Sequence, residues 1–166
     1  MSRELVDKIL SYLEGRAIET VVEQGGRRGW LERRVKTITI YDAFDEKPSS
    51  PGIMAHDPAS PLPLKDASRD LALTVDLFER VRMDQLYMVA SEMRRVLRPG
   101  GLWILSGACS GENLFRRLLG NTRLKLSGRR ALELTHYVSP EDWKTLEDVK
   151  WAEGMVTRQL LALERL

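Results

Sequence analysis

A glycine-rich turn followed by an acid is the feature of this sequence best suited to bind a ligand. Ile18 to Val22 is a short apolar stretch that leads into Glu23 to Gly29 (EQGGRRG). A second β-branched stretch, Lys36 to Tyr41, is closed by Asp42. A strand, a glycine-rich turn, a short helix and a second strand ending in an acid are the order with which an open α/β sheet binds an adenosine-type cofactor. The alternatives are a plain strand-to-helix turn and an ordinary loop acid.

Two further acids also follow apolar stretches and could contact the same ligand. Asp57 closes the short stretch Gly52 to His56, and Asp76 follows the nearly continuous apolar stretch Arg69 to Val75. Ligands of open α/β sheets bind at the carboxyl ends of strands, so acids at those ends are candidates for a binding site. Asp76 could orient a substrate amine or act as a base. A helix cap or a solvent-facing acid is the alternative interpretation of Asp76, and a simple loop acid is that of Asp57.

Helices and strands are predicted to alternate along the chain and to position these acids. The apolar residues of 3–14 recur at helical spacing, and those of 84–97 do so before Pro99-Gly100-Gly101. Strands are predicted at 18–22, 36–41, 52–57, 69–75 and 102–105, shorter helices at 30–34, at 114–119 and after Ser139, and a terminal hairpin within 149–163 that turns near Gly154. This order predicts an α/β fold with a mostly parallel seven-stranded sheet, a C-terminal antiparallel hairpin and helices on both faces.

Composition limits the classes of function that the chain can have. The length of 166 residues predicts one domain, 1–166, and the net charge of +2 argues against a dedicated nucleic-acid binder. No apolar run approaches the roughly 20 residues of a membrane span. The single cysteine excludes an intramolecular disulfide, and together with two separated histidines it makes a metal site improbable. With no signal peptide at the N-terminus, these features predict a cytoplasmic protein.

Three segments of the chain resemble the class I S-adenosylmethionine-dependent methyltransferases, in particular those called type 11. Glu92 to Leu105 (EMRRVLRPGGLWIL) is similar to the family's helix, turn and fifth strand. Leu62 to Leu71 (LPLKDASRDL) is similar to the segment that enters the fourth strand, and Val138 to Trp143 (VSPEDW) to the helix before the final hairpin. The order of a helix, five alternating strands and a terminal hairpin also resembles that of the family, so the resemblance covers nearly the whole chain. It implies a Rossmann-like methyltransferase fold and S-adenosylmethionine as the cofactor.

The resemblance also implies a role for each residue that matches a family motif. The glycine-rich loop would run beneath the methionine part of the cofactor, the acid after the second strand would accept hydrogen bonds from the ribose hydroxyls, and the acid after the third strand would receive the adenine amino group. Carboxylates suit the ribose because two vicinal hydroxyls can donate to one pair of acceptors. The loop after the fourth strand would lie beside the transferred methyl group. The cofactor-binding residues implied in this way are Glu23, Gly25, Gly26, Gly29, Asp42, Asp57 and Thr74.

Arg27 departs from the family pattern, because it stands where the middle glycine of the motif is expected. A long cationic side chain there should crowd a sulfonium ligand, whereas glycine lets the backbone approach closely. Two interpretations therefore stay open. The chain is either a methyltransferase for an unidentified small-molecule acceptor, or a catalytically inactive methyltransferase-like domain that serves as a partner or scaffold, as a homodimer or with another protein. Methyl transfer mainly needs alignment of the reactants, so no obligatory catalytic side chain is expected, and Asp76 is named only as a candidate.

The segment 116–130 carries a concentration of positive charge, and no acid lies between Glu112 and Glu133. Phosphates, including those of RNA, could bind there, so an RNA-associated role is a third alternative. No aromatic residue follows Phe115 in the segment to stack on bases, which argues against nucleic acid. We therefore predict a solvated rim or a clamp for an anionic partner, formed by Arg116, Arg117, Arg123, Lys125, Arg129 and Arg130.

Cys109 and the pair His136 and Tyr137 are also predicted near the ligand, but each also has a structural interpretation. Cys109 lies just beyond the fifth predicted strand, where a lone cysteine is usually a small buried apolar residue. His136 and Tyr137 precede the predicted helix cap Ser139 and could overhang a substrate. A loop histidine of this kind is more often structural, so neither site is predicted to be catalytic.

Overall fold

The computed structural model describes residues 3–25, 31, 35–42, 52–77, 81–109 and 141–166 of the chain. Two helices and seven strands lie in these ranges, and the strands form one sheet. The elements are α1 (Arg3–Leu13), β1 (Thr20–Gln24), β2 (Thr37–Asp42), β3 (Ile53–Ala55), β4 (Arg69–Val75), α2 (Met83–Val96), β5 (Leu97–Cys109), β6 (Trp143–Glu153) and β7 (Val156–Arg165).

The sheet has the strand order β3-β2-β1-β4-β5-β7-β6. The first five of these strands pair in parallel, and β7 is antiparallel to both β5 and β6. The chain moves outward from β1 to β3 and then returns to the other side of β1 with β4. This reversal creates a crevice at the carboxyl ends of β1 and β4, where open α/β sheets bind their ligands. The predicted mostly parallel seven-stranded sheet with an antiparallel hairpin is confirmed.

Each face of the sheet is covered by one of the described helices. Val21 packs in a cluster with Leu5 and Ile9 of α1, whereas the adjacent Val22 packs in a second cluster with Leu86 and Met93 of α2. Successive side chains of a strand point to opposite faces, so α1 and α2 lie on opposite sides of the sheet. A strand covered on both faces can be apolar throughout, which explains the near-continuous apolar sequence of β4.

An ion pair on α2 fixes the segment that leads into β4. The Arg95 guanidinium donates to both carboxylate oxygens of Glu92 at 2.9 and 2.6 Å and to the carbonyl oxygens of Leu62 and Leu64 at 2.9 and 2.7 Å. The Leu62 amide donates to Glu92 at 2.6 Å. Burial alone would raise the pKa of Glu92, but the bonds from Arg95 and Leu62 outweigh it and lower that pKa. Glu92 and Arg95 of the EMRR segment therefore have a structural role.

Asp70 joins β4 to β1 at the amino ends of the strands. Its carboxylate accepts hydrogen bonds from the backbone amides of Glu19 and Thr20, both at 2.8 Å, and from the Thr20 hydroxyl at 3.0 Å. Arg98 forms an ion pair with the same carboxylate. Burial favours the protonated acid, but these donors outweigh it and lower the pKa of Asp70. This buried acid lies at the opposite edge of the sheet from the predicted ligand site.

The prediction of a helix after Ser139 is wrong. Residues 143–153 form strand β6, which pairs with β7 along its length, and Trp143 is only 3% exposed. The Trp143 ring lies against Trp103 with the centroids 5.3 Å apart. A cap sequence contributes about 1 kcal/mol, whereas burial of a large aromatic side chain contributes several. Tertiary packing therefore overrides the local helix signal, and the hairpin begins at Trp143, not at residue 149.

Other observed boundaries differ from the predicted ones by a few residues. β1 begins and ends two residues later than predicted. β5 starts at Leu97, which pairs with Arg69 of β4, and ends at Cys109, because β7 continues to pair with β5 beyond Leu105. The turn predicted at Gly154 is confirmed, with Gly154 at a φ of +63° between β6 and β7. The helices predicted at 114–119 and, except for Leu31, at 30–34 lie outside the described residues.

Candidate functional site

The predicted site residues of the first four strands are brought to one edge of the sheet. Gly25 follows β1, Asp42 ends β2, Asp57 follows β3 and Asp76 follows β4. Gln24 is in register with both Tyr41 and Thr74, and Asp42 with Ala55, so these strands end side by side. Neighbouring strands lie about 4.8 Å apart, and a ligand of nucleoside size can therefore contact several of these ends at once.

Gly25 occupies a position that only glycine can fill without rearrangement. Its φ is +79°, and a Cβ atom there would lie 2.7 Å from the carbonyl oxygen of Val75 and 3.4 Å from the Cβ of Leu77. Its amide donates to the carbonyl oxygen of Tyr41 at 3.0 Å. The loop after β1 is thus packed directly on the loop after β4. The first glycine of the motif is required by this packing, whether or not a ligand is present.

Glu23 and Gln24 carry buried polar side chains at the end of β1. Glu23 is 1% exposed and belongs to the strand, not to the loop that follows it. Gln24 is 2% exposed, and its amide oxygen has no hydrogen-bond partner among the residues that the structure describes. A buried acceptor left unsatisfied costs about 1–3 kcal/mol. Nothing in the sequence singled out Gln24, because its polarity looked ordinary in a predicted loop.

Thr74 is a core residue whose hydroxyl is already engaged. It is fully buried in β4, and its oxygen accepts a hydrogen bond from the indole Nε1 of Trp103 at 2.9 Å. The side chain therefore fixes Trp103 on the α2 face of the sheet. The presence of a hydroxyl at this position is explained by its hydrogen bond with Trp103. The placement of Thr74 beside the transferred methyl group stays a prediction.

Asp57 lies in a tight turn directly after β3. Its carboxylate oxygen Oδ1 accepts a hydrogen bond from the amide of Ala59 at 2.9 Å, and its carbonyl oxygen accepts one from the amide of Ser60 at 2.9 Å. The preceding His56 packs its ring on Tyr41 with the centroids 5.2 Å apart. These contacts hold an exposed acid in a defined place at the carboxyl edge of the sheet.

Asp76 is in an unusual backbone conformation and forms an ion pair. Its φ is +53°, and its amide donates to the carbonyl oxygen of Ser106 at 2.9 Å. Its carboxylate pairs with the guanidinium of Arg158 on β7, which also binds Glu153 at 2.6 Å. Burial alone would lower the pKa of Arg158, but the two carboxylates outweigh it and raise that pKa. For Asp76 to act as a base, this pair must open.

Nothing in the sequence indicated that Arg158 belongs to this edge. Arg158 and Asp76 are 82 positions apart, and their contact depends on β7 inserting between β5 and β6. The prediction of a terminal hairpin does not specify which strand pairs with it or which residue faces Arg158.

Several predicted residues are not characterised by the structure. Gly26, Arg27 and Gly29 lie outside the described residues, as do the basic segment 116–130 and the pair His136 and Tyr137. Asp42 and Cys109 are described only as the last residues of β2 and β5. Their predicted roles stay predictions.

A groove of about 380 Å³ lies away from this edge. Ile18 and Val35, which precede β1 and β2, contribute to it, so the groove lies toward the amino ends of these strands. Its remaining lining residues are Leu10, Leu13, Glu14, Arg16 and Leu31. The groove is mainly apolar and contains none of the predicted cofactor-binding residues.

Two further properties concern the part of the chain that the structure describes. Its His, Cys, Asp and Glu side chains form no group of three or more that could hold a metal ion. Neither of its two helices is long and apolar enough to span a membrane.

The family of the chain follows from its match to a known domain. A model of the methyltransferase domain family matches residues 21–105, which run from the second residue of β1 into β5. This chain belongs to the methyltransferase domain family. The matched half contains all the strand ends described above, and the predicted family is confirmed. No curated protein sequence is significantly similar to the chain.

Solved structures of methyltransferases share the fold. The N-methyltransferase NodS from Bradyrhizobium japonicum WM9 is similar with a TM-score of 0.63 and 17% identity, covering 98% of this chain and 95% of that protein. An S-adenosylmethionine-dependent methyltransferase from Clostridium acetobutylicum ATCC 824 is similar with a TM-score of 0.63 and 14% identity, and the match covers 96% of this chain and 89% of that protein. Geranyl diphosphate C-methyltransferase from Streptomyces coelicolor A3(2) is similar with a TM-score of 0.61 and 14% identity, and the match covers 98% of this chain and 79% of that protein. The predicted Rossmann-like methyltransferase fold is confirmed.

Proposed function

We propose that this protein is an S-adenosylmethionine-dependent methyltransferase that acts on a small-molecule acceptor. The observation that carries the proposal is the coincidence of two independent features. The methyltransferase-domain match spans residues 21–105, and Gly25, Asp42, Asp57 and Asp76 of that span lie at one edge of the sheet. This edge is where an open α/β sheet binds its ligand.

The described residues fit such a cofactor. Gly25 leaves the backbone after β1 without a side chain, Asp57 offers an exposed acceptor in a fixed turn, and Gln24 offers a buried amide oxygen without a described partner. Asp42 and Asp57 would hold the ribose and the adenine, and Glu23 with the glycine-rich loop would hold the methionine part. S-adenosylmethionine would supply an activated methyl group on sulfur. The protein would then mainly align the acceptor with that group and exclude water.

The acceptor class is supported by the solved neighbours. NodS is an N-methyltransferase, and the Streptomyces enzyme is a C-methyltransferase crystallised with geranyl diphosphate, Mg²⁺ and S-adenosyl-L-homocysteine. The same fold thus serves both nitrogen and carbon acceptors. We assign a small-molecule acceptor to this chain and no particular nucleophilic atom.

Isothermal titration with S-adenosylhomocysteine tests the proposal. We expect one binding site per chain in the wild-type protein and weaker binding in Asp57→Asn, since the amide cannot replace both carboxylate acceptors. Asp66→Asn is the matched control, because Asp66 pairs with Arg95 away from the carboxyl edge. Absence of heat and of thermal stabilisation at millimolar ligand would contradict the proposal, as would equal losses in the two variants.

A second candidate function is a methyltransferase-like binding domain without catalysis. The packing of Gly25 on Val75 favours it, since this packing explains the first glycine of the motif without any ligand. Arg27→Gly then separates the two functions. If Arg27 blocks the site, the variant gains affinity for S-adenosylhomocysteine, and if the wild-type site is functional, the affinity does not rise.

A further inference from the structure

A guanidinium on the C-terminal hairpin reaches across one strand to the loop after β4. Arg158 on β7 is in register with Ala108 of β5, and β5 lies between β7 and β4. Its Nη1 pairs with the carboxylate of Asp76 and its Nε pairs with that of Glu153. The Arg158 side chain is 13% exposed and that of Asp76 is 49% exposed. The pair therefore joins a buried anchor to a partly exposed loop.

The residue at the loop end of this pair has a backbone conformation that L-residues disfavour. Asp76 has a φ of +53°, in the left-handed region that aspartate and asparagine tolerate better than other non-glycine residues. Its amide is held by the carbonyl oxygen of Ser106 at 2.9 Å. The ion pair and this hydrogen bond fix Asp76 from both its side chain and its backbone.

The neighbours of Asp76 in sequence determine the space at the glycine-rich loop. The Val75 carbonyl oxygen and Leu77 are the groups nearest to the missing Cβ of Gly25. A change in the path of residues 75–77 would consequently displace Gly25 or open the contact between the two loops. Arg158 thus acts on the first motif glycine through Asp76 and its neighbours.

We propose that Arg158 is a positioning residue that sets the cofactor loop through its ion pair with Asp76. The cofactor part of this inference rests on the proposed function, whereas the coupling of the two loops does not. Arginine suits the task because its planar fork binds two carboxylates at once, which a lysine ammonium does less well. Asp76 is accordingly part of the support of the site, and a role as catalytic base is not required of it.

Two readouts on the full chain test the inference. The first is hydrogen exchange at the amides of Asp76 and Gly25, and the second is calorimetric affinity for S-adenosylhomocysteine. The variants are Arg158→Gln, Arg158→Lys, Asp76→Asn and the Arg158→Gln/Asp76→Asn double variant. Asp76→Asn removes the charge but keeps a residue that tolerates positive φ. Arg16→Gln is the matched control, since it breaks an ion pair with Glu164 at the other edge of the sheet.

We expect Arg158→Gln and Asp76→Asn to accelerate exchange at both amides roughly tenfold and to weaken ligand binding roughly five- to tenfold. The exchange rates and the affinity of Arg158→Lys should lie between those of the wild type and Arg158→Gln. Arg16→Gln should change neither the exchange rates nor the affinity. The double variant should bind no more weakly than Arg158→Gln, because the pair of Arg158 with Asp76 is already broken in that single variant.

The outcomes separate this inference from the proposed function. Unchanged exchange at Gly25 in Asp76→Asn would overturn the coupling, and faster exchange with unchanged affinity would overturn the cofactor-positioning role. If Arg158→Gln does not fold, Asp76→Asn alone decides both. If the wild-type protein does not bind the ligand, the proposed function fails and the exchange rates alone decide the coupling.

Discussion

Replacement of Gly25 by alanine tests how the loop after β1 is held against the loop after β4. The substitution has two separable costs. A left-handed φ of +79° is unfavourable for alanine by about 1–2 kcal/mol. The added Cβ would also lie 2.7 Å from the Val75 carbonyl oxygen, an overlap with backbone that must be relieved by a shift costing about 1–3 kcal/mol. We expect a total loss of about 2–5 kcal/mol in the free energy of unfolding.

Gly15→Ala and Gly100→Ala provide matched controls for this experiment. Both glycines have a similar φ, +73° and +76°, but nothing lies within 4 Å of the position that a Cβ would take. These variants should lose only the conformational cost of about 1–2 kcal/mol. Urea denaturation of the three variants at neutral pH measures the difference. Equal losses at Gly25 and Gly15 would refute the close contact between the loops.

Two further predictions concern buried carboxylates away from the candidate site. Asp70→Asn should lower the free energy of unfolding by about 1–3 kcal/mol at pH 7, because its carboxylate accepts three hydrogen bonds. Since folding lowers the pKa of Asp70, the wild-type advantage is present above the unfolded value of about 3.9 and is lost as pH falls through the folded value. The difference between the urea curves of the two proteins should therefore shrink as the pH is lowered below the unfolded value. Arg95→Gln should cost about 3–5 kcal/mol, because it leaves the Glu92 carboxylate buried without its cation. Arg94→Gln, which breaks an exposed pair with Asp142, should cost at most about 1 kcal/mol in the same assay, and equal costs would contradict this account.

The sequence predicted the sheet well where periodicity and tertiary packing agree. The strand Arg69–Val75 has the predicted boundaries, because a strand buried on both faces is apolar along its whole length. The helix Arg3–Leu13 and the turn at Gly154 were likewise predictable from local signals. The strand order could be expected only through the family resemblance, since pairing between distant strands has no local signal.

Errors arose where burial overrides the local sequence. Glu23 and Gln24 looked like loop residues, yet both belong to β1 and are buried. Trp143 follows a good helix cap but starts β6, because packing on Trp103 is worth more than the cap. The pair of Arg158 with Asp76 joins residues 82 positions apart and needs the three-dimensional order of the sheet. Candidate acids were thus predictable from strand ends, whereas the contacts that support them were not.

The central claim is that a cofactor binds at the carboxyl edge of β1 to β4, and amide chemical shifts measure this most directly. Titration of the ¹⁵N-labelled protein with S-adenosylhomocysteine should perturb the amides of Gly25, Asp57 and Asp76. The amides of Glu14 and Arg16, at the groove near the amino ends of the strands, should keep their shifts. Perturbation confined to the groove, or no perturbation at millimolar ligand, would contradict the claim.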